Sequence, residues 1–184
     1  MDAIDLLINR HSCNQLSLPA PSGEVLDNII NAGLRAPDHG GLTPWRFIIT
    51  EGEGLNTLSR YFQDAAFNLG KAEKDVLKAA NAPFRAPQII TVIARIEDHP
   101  KIPESEQLMS AGCVVMAMQM AAQAQGFNGI WRTGWFAYDS HIKQKLELNE
   151  KDEIVGFLYL GTPNISCKKT RQLNTDSFVT RMDS

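Results

Sequence analysis

Three short groups of basic, hydroxyl and aromatic side chains in this sequence could bind an anionic ligand. They are Arg10-His11-Ser12, Arg35 with Asp38-His39, and Trp131-Arg132-Thr133. An arginine guanidinium is planar and makes paired, charge-assisted hydrogen bonds to phosphate. The hydroxyls of Ser12 and Thr133 add further donors. Together the three groups predict a site for a phosphorylated, planar and partly apolar ligand.

Each group also has an ordinary structural explanation. Arg10 and Arg35 stand where helices are expected to end, and a cation there can simply complement the helix dipole, worth about 0.3–1 kcal/mol. His39 beside Asp38 fits a turn as well as an acid–base pair. Trp131 could be a core residue with Arg132 reaching outward from it. These alternatives stay open from the residues alone.

Two other possible sites have less support. Ser12, His39 and an aspartate could form a hydrolytic triad, but no G-x-S-x-G sequence surrounds Ser12. The basic tail segment 167–171, with Lys168, Lys169 and Arg171, could bind an anion, although such segments are usually solvated. No side-chain nucleophile or catalytic base is predicted.

The stretch from Ser110 to Gly134 must position the third group. Between Ala111 and Gln125 the strongly polar residues are Gln119, Gln123 and Gln125. A helix with so little polar surface belongs in a core or against a partner subunit. It is too short, and too often interrupted by glutamine, to span a membrane, which takes about 20 apolar residues.

Composition places limits on the class of protein. The chain has 184 residues, 43% of them hydrophobic, which fits one globular domain over residues 1–184. A net charge of −3 without a basic stripe gives no electrostatic basis for binding nucleic acid. Three widely spaced cysteines predict reduced thiols in a cytoplasm, and no signal peptide precedes them. The four histidines show no metal-ligand spacing with them, so no metal site is predicted.

Hydrophobic spacing predicts helices and strands in an irregular order. Helices are expected from Asp2 to about Arg10, from Ser22 to Arg35, Leu55 to Leu69, Glu73 to Ala80, about Glu104 to Gln125, and Asp139 or Ser140 to Leu146. Strands are expected at Trp45 to Thr50, Gln88 to Arg95, around Ile130, and Ile154 to Leu160. Pairs of helices around a few very apolar strands favour an α+β fold. Residues 164–184 form a polar C-terminal arm, and no G-x-G-x-x-G sequence supports a Rossmann site.

An ordered set of motifs resembles the FMN-dependent nitroreductase family, in particular its compact members. The resemblance extends from about Met1 to Pro163. It is carried by Asn9-Arg10-His11-Ser12, Arg35-Ala36-Pro37-Asp38-His39, Thr43-Pro44-Trp45, the helix from Gly112 to Ala122 followed by Gly126 to Arg132, and Val155 to Pro163.

The resemblance implies a nitroreductase-like α+β fold with a mostly antiparallel central sheet flanked by helices. It implies an intertwined homodimer with two FMN sites at the interface, with the apolar helix in that interface. Arg10, His11 and Ser12 would hold the phosphate and ribityl groups, and Trp131, Arg132 and Thr133 would line the flavin. Arg35 and His39 look like the partner subunit's contribution. A weaker implication is a nicotinamide dinucleotide contact at Ala121, Ala122, Gln123, Ala124, Gln125 and Gly126.

The implied activity is that of an NAD(P)H oxidoreductase. NAD(P)H would deliver hydride to FMN and leave, and a nitroaromatic, quinone or similar small acceptor would then take the electrons. The sequence departs from the family where His11 and Asn14 replace arginines, and where Gly41 and Thr43 replace Asn and Gln. The donors missing from the loop at Gly41 and Thr43 favour the alternative of a flavin-binding carrier or redox sensor with little turnover. A further alternative is a simple dimeric scaffold protein, which would require every arginine of these groups to have only a structural role.

Overall fold

The computed structural model describes residues 2–164 and 173–182. In these residues five strands form one sheet: β1 Leu16–Ser17, β2 Trp45–Glu51, β3 Gln88–Ala94, β4 Asn128–Arg132 and β5 Glu153–Pro163. The α-helices are α1 Ala3–Ile8, α2 Gly23–Gly33, α3 Glu53–Asn68, α4 Glu73–Ala80, α5 Glu104–Ala124 and α6 Ser140–Lys145. Short 3₁₀ helices occur at His39–Gly41, Pro83–Arg85, Trp135–Tyr138 and Thr175–Ser177.

The sheet is antiparallel throughout its described strands, in the order β1-β5-β3-β2, with β4 also paired to β5. All seven residues of β3 are buried, because β2 and β5 pair on its two edges and helices cover both faces. This confirms the strand expected at Gln88 to Arg95, whose apolar, β-branched residues on both faces suit a fully buried, central position. The predicted α+β class and mostly antiparallel sheet are confirmed as well.

Alternation along β5 divides the core into two layers. Phe157 and Tyr159 point to one face, where they pack with Phe62 of α3 and Ile142 of α6. Leu158 and Leu160 point to the other face, toward α2 and α5. Gly33 of α2 lies so close to Met118 of α5 that a Cβ atom there would meet the methionine side chain at 2.7 Å. The small residue therefore allows α2 to approach the apolar helix.

Helix α5 is partly buried and partly exposed. Val114, Val115 and Met118 are fully buried against the sheet, as the apolar pattern predicts. Leu108, Met109, Cys113 and Met116 are exposed on the opposite side, together with Trp131 of β4. The described chain therefore leaves one apolar face of α5 uncovered.

The predicted ends of strand β5 and of helices α1 and α2 need correction. Strand β5 continues through Gly161, Thr162 and Pro163, where the sequence predicts a stop, because Leu16 and Ser17 pair with Pro163 and Thr162. The two-residue strand β1 is too short to give a periodic signal. Helices α1 and α2 end at Ile8 and Gly33, two residues before the predicted ends, while Asp2 caps α1 by accepting from the backbone N–H groups of Ile4 and Asp5.

Of the C-terminal arm, the structure describes residue 164 and residues 173–182. Its polar character is interrupted by Leu173, Phe178, Val179 and Met182, which are all more than half exposed. The basic segment 167–171 lies outside the described residues, and so does Cys167.

Candidate functional site

The fold brings the first and third groups of candidate residues together along β4. The backbone N–H of Cys13 donates to the carbonyl of Gly129 at 3.0 Å. The same carbonyl accepts from the side-chain amide of Gln119 at 2.9 Å. Asn128 Nδ2 donates to His11 Nε2 at 2.7 Å. The segment after α1 is therefore fixed beside β4 by bonds at two consecutive strand residues.

Both ring nitrogens of His11 are used in this arrangement. Nδ1 donates to the Asn9 carbonyl at 3.1 Å, since a carbonyl can only accept, and Nε2 accepts from Asn128. The imidazole thus holds the segment in place. Because both of its ring nitrogens are used, the donors that position 11 can offer a ligand are those of the backbone. Arg10 and Ser12, on either side of it, make no hydrogen bond or ion pair with other side chains in residues 2–164 and 173–182.

The backbone of β4 presents its outer edge to this segment. Because the Gly129 carbonyl accepts from Cys13, the backbone groups of Gly129 point away from β5. In an antiparallel pair this direction repeats every second residue, so the N–H and carbonyl of Trp131 face the same outer edge. The side chains alternate as well, and Trp131 and Thr133 face α5 while Arg132 faces the layer that contains Tyr159.

Arg132 is a half-buried cation that has no counter-ion among the described residues. Its Cζ atom lies 5.7 Å from the ring centroid of Tyr159. Its Nε atom is buried and has no hydrogen-bond partner among the described residues, and no carboxylate there pairs with the guanidinium. Burial raises the pKa of Tyr159 to about 12, against the opposing effect of the positive charges of Arg132 and Arg85. An unsatisfied buried N–H group on a cation is costly and suits an anionic acceptor.

Trp131 lines an apolar cavity on the α5 side of β4. Its indole Nε1 donates to the Val155 carbonyl at 3.1 Å, and 39% of the residue remains exposed. The cavity measures about 400 Å³ and is also lined by Met109, Gly112 and Thr133. Trp131 is therefore not a core residue, and its ring forms a wall beside the exposed face of α5.

Arg35 and His39 are not bonded to the other two groups among the described residues. No hydrogen bond or ion pair within the described part of the chain joins them to residues 10–12 or 131–133. His39 Nδ1 instead donates to Glu106 Oε2 of α5 at 2.6 Å. Asp38 Oδ2 accepts from the backbone N–H of Thr43 at 2.7 Å, which closes the loop as a turn.

Asp38, which the sequence offered as the acid–base partner of His39, is therefore not the carboxylate that bonds to it. The carboxylate beside the ring belongs to Glu106, 67 residues further along the chain, and Asp38 is used in the turn. Two residues that lie 67 positions apart leave no local pattern in the sequence that would predict their contact. Glu106 lies outside the motifs that the sequence singled out, while Asn128 and Tyr159 lie within them but were assigned no role in the site.

The segment Ala121–Gly126 lies at the other end of α5. Ala122 is fully buried and Gln123 is 9% exposed, whereas Ala124 and Gly126 reach the surface. Gln125 is held by bonds to Asn28 and to the carbonyls of Val25 and Ala121. Most of this segment therefore serves the packing of α5 against α2.

Two further observations concern the described residues only. No helix in them combines the length and apolar character required to cross a membrane. No group of three or more histidine, cysteine, aspartate or glutamate side chains in residues 2–164 and 173–182 is arranged to hold a metal ion.

Comparison with known proteins gives a consistent result. The model of the nitroreductase family matches residues 7–162. A protein of Escherichia coli K12 named "Putative NAD(P)H nitroreductase YdjA" is 54% identical over 165 residues, which cover 90% of each chain. A Haemophilus influenzae protein named "Putative NAD(P)H nitroreductase" is 38% identical over 98% of this chain and 99% of its own length.

Solved structures share the fold at lower identity. A nitroreductase-like family protein from Bacillus cereus superposes with a TM-score of 0.87 at 19% identity, covering 100% of this chain and 97% of that one. A variant of the FMN and NADPH-dependent nitroreductase NfnB, from sphigopyxis sp. strain HMH, gives a TM-score of 0.77 at 15% identity over 99% of both chains.

Proposed function

The chain belongs to the nitroreductase family of oxidoreductases, and from this premise we propose that it is a homodimeric, FMN-dependent NAD(P)H oxidoreductase of the cytoplasm. Its acceptors would be nitroaromatics, quinones or similar small molecules. The neighbour NfnB is named as FMN and NADPH-dependent, and close relatives are named for NAD(P)H. The residues of this chain supply the remaining support.

The observation that carries the proposal is the state of Arg132. Within the described part of the chain its buried Nε has no hydrogen-bond partner and its guanidinium has no carboxylate, which fits a ligand that brings its own negative charge or carbonyl oxygens. The outer backbone edge of β4 lies between the Arg132 guanidinium on one face of the strand and the Trp131 indole on the other, and this edge suits a flat ring with polar atoms along one side. Arg10 and Ser12 follow along the same edge and would hold the phosphate.

The exposed apolar residues support a dimer. Helix α1 buries none of its residues, and Ile4, Leu7 and Ile8 are 46–63% exposed. Helix α1 lies next to α5, whose Leu108, Met109 and Met116 are also exposed. Monomeric proteins rarely expose a continuous apolar surface of this kind. A second copy covering it would also bring a partner's Arg35 and His39 to a site that lacks them in its own chain.

When bound, FMN supplies the hydride and electron transfer. The protein residues hold it, shape the opening and place positive charge nearby. NAD(P)H and the acceptor would use the same open face in turn, which is a ping-pong order. Any NAD(P)H contact in the segment Ala121–Gly126 would involve the exposed residues Ala124 and Gly126. No side chain of the site is assigned a proton transfer.

A flavin carrier or redox sensor is the second candidate. The observation in its favour is that the ring of His11 is already hydrogen-bonded at both nitrogens, and that Gly41 contributes no side-chain donor. Fewer donors at the flavin would weaken the interactions that adjust its reactivity.

Absorption spectra of the purified protein test the proposal. We expect flavin bands in the protein as isolated or after addition of FMN, their loss on adding NAD(P)H, and their return with a quinone or nitroarene. Bound flavin without steady NAD(P)H oxidation would identify a carrier. A colourless protein that takes up no FMN would exclude both functions.

A further inference from the structure

A second pocket, outside the site described above, lies between α4 and the 3₁₀ helix Trp135–Tyr138. We call it the Trp135 pocket. Its volume is about 400 Å³, within the range of sites for small molecules. Its lining residues are Lys71, Asp75, Lys78, Ala79, Ala82, Arg85, Trp135 and Phe136. None of them belongs to the three groups that the sequence singled out.

The aromatic side of the pocket is anchored in the core. Trp135 lies against Phe136 with ring centroids 4.2 Å apart. Phe136 in turn stacks on Phe62, at 4.2 Å with 16° between the ring planes. Phe62 is fully buried and meets Phe157 of β5 edge-on at 5.3 Å. The wall is therefore a supported aromatic surface, of the kind on which a planar ligand can stack.

The other side of the pocket carries an excess of positive charge. Lys71, Lys78 and Arg85 contribute three cations and Asp75 one carboxylate. Lys71 Nζ lies 4.7 Å from the centre of a Trp135 ring. Within residues 2–164 and 173–182 none of the three cations forms an ion pair with a carboxylate. They are thus available to an external anion beside the aromatic wall.

We propose that the Trp135 pocket binds a small planar organic anion, an aromatic carboxylate, with its ring against the wall of Trp135 and Phe136 and its carboxylate between Arg85 and Lys71, whose ammonium group leaves the Trp135 ring to meet it. The planar guanidinium of Arg85 can bind both carboxylate oxygens. The cavity volume accommodates one or two fused rings. The proposal does not depend on flavin binding, because none of its residues is assigned to the flavin.

Calorimetric titration of the full-length protein tests the proposal, with 2-naphthoate as the probe. This probe lacks a nitro group and is not consumed by reduction. We expect saturable binding of one molecule per chain, in the protein without flavin and after saturation with FMN. The neutral isostere 2-naphthamide should bind about tenfold more weakly, because it loses a charge-assisted interaction. Acetate should show no saturable binding, since it lacks the ring.

Variants assign the binding to this pocket. Lys71→Gln and Arg85→Gln should each weaken 2-naphthoate binding about tenfold, and Arg85→Lys should recover only part of the loss. Lys74→Gln is the matched control, because Lys74 is an exposed lysine of α4 that does not line the pocket. Its affinity should equal that of the unaltered protein.

Several results would overturn the proposal. The proposal is wrong if 2-naphthoate shows no saturable binding at millimolar concentration, or if 2-naphthamide binds with the same affinity as 2-naphthoate. It is also wrong if Lys74→Gln loses as much affinity for 2-naphthoate as Lys71→Gln and Arg85→Gln do. Displacement of 2-naphthoate by FMN would show that the pocket is part of the flavin site and not a separate one. A colourless protein that binds 2-naphthoate would uphold the pocket while the flavin function failed.

Discussion

The indole of Trp131 lies directly over Gly156. A Cβ atom on Gly156 would overlap the pyrrole edge of the indole, and the indole N–H donates to the neighbouring Val155 carbonyl. The absence of a side chain at Gly156 therefore fixes the position of the aromatic wall of the candidate site.

Replacing Gly156 by alanine should displace this wall. We expect Gly156→Ala to lower the free energy of unfolding by about 1–3 kcal/mol, as overpacking does, in urea titrations. In the Trp131→Ala background part of this loss should disappear, because the overlapping ring is gone, while the φ of +159° at Gly156 and the Arg132 carbonyl, 3.0 Å from the added Cβ, still oppose a side chain. Strictly additive losses in the double variant would contradict this contact.

Arg132 should contribute strongly to flavin affinity. Arg132→Ala should raise the Kd for FMN about 10- to 100-fold, since charge-assisted hydrogen bonds contribute about 1.5–3 kcal/mol. The measurement is quenching of FMN fluorescence during titration with protein. Arg95→Ala, at an exposed arginine near Glu97, serves as the control. If Arg132→Ala keeps a full complement of FMN at dilute concentration, Arg132 is not a flavin contact.

Glu106 should act through His39. In the proposed dimer, His39 reaches the partner's flavin, and its Nδ1 is fixed by Glu106. We expect Glu106→Gln and His39→Ala each to weaken FMN binding, with no further loss in the double variant. Glu104→Gln, at a nearby exposed carboxylate of α5, should have no effect on FMN binding. Independent, additive effects of Glu106 and His39 would show that the hydrogen bond does not position the histidine.

The apolar face of α1 and α5 should hold the dimer together. Met109→Glu places a charge in a surface that a second copy would bury, so we expect the dimer to dissociate in sedimentation velocity experiments. Leu77→Glu is the matched control, because Leu77 is equally exposed, at 62%, but lies on α4. A Met109→Glu protein that remains dimeric at low micromolar concentration would place the interface elsewhere.

Tyr159 should make stability depend on pH in the alkaline range. The pKa of Tyr159 is raised by burial from 10.0 to about 12, with Arg132 and Arg85 opposing the shift. Above about pH 10 the unfolded chain loses a phenol proton that the folded protein retains, so the free energy of unfolding falls as the pH rises through 12. By pH 11 the loss is on the order of 1 kcal/mol.

The test compares urea unfolding of the unaltered protein and Tyr159→Phe at pH 9 and pH 11. The two proteins share all other titrating groups, so the difference between their pH dependences isolates the phenol. If the free energy of unfolding changes by the same amount in both proteins between pH 9 and pH 11, the pKa of Tyr159 is not raised in the folded state.

The sequence predicted those parts of the fold that depend on local periodicity. The strand Gln88–Ala94 and the helix Glu104–Ala124 have long apolar patterns, and both were placed close to their observed bounds. Strand β1 was missed because two residues carry no period. The end of β5 was misplaced for the same reason, since Gly161–Pro163 stays extended only through pairing with β1.

The candidate site depends more on contacts between distant segments. Arg10 and Arg132 were predicted as site residues from residue type, whereas the bond from Asn128 to His11 across 117 positions was not predicted. Nor did the sequence reveal the pairing of His39 with Glu106, or the convergence of Lys71, Arg85 and Trp135 on one pocket. Such contacts follow from the packing of whole elements, which a single sequence does not specify residue by residue.

Because the backbone of β4 faces outward, substitutions that remove side-chain donors near it leave the backbone donors of the site in place. The N–H group of Trp131 belongs to the main chain, so it survives every substitution except proline. Changes such as histidine for arginine at position 11, or glycine at position 41, remove donors without touching it. A protein of this architecture can thus diverge widely in the side chains around its ligand and still present the same row of polar atoms to it.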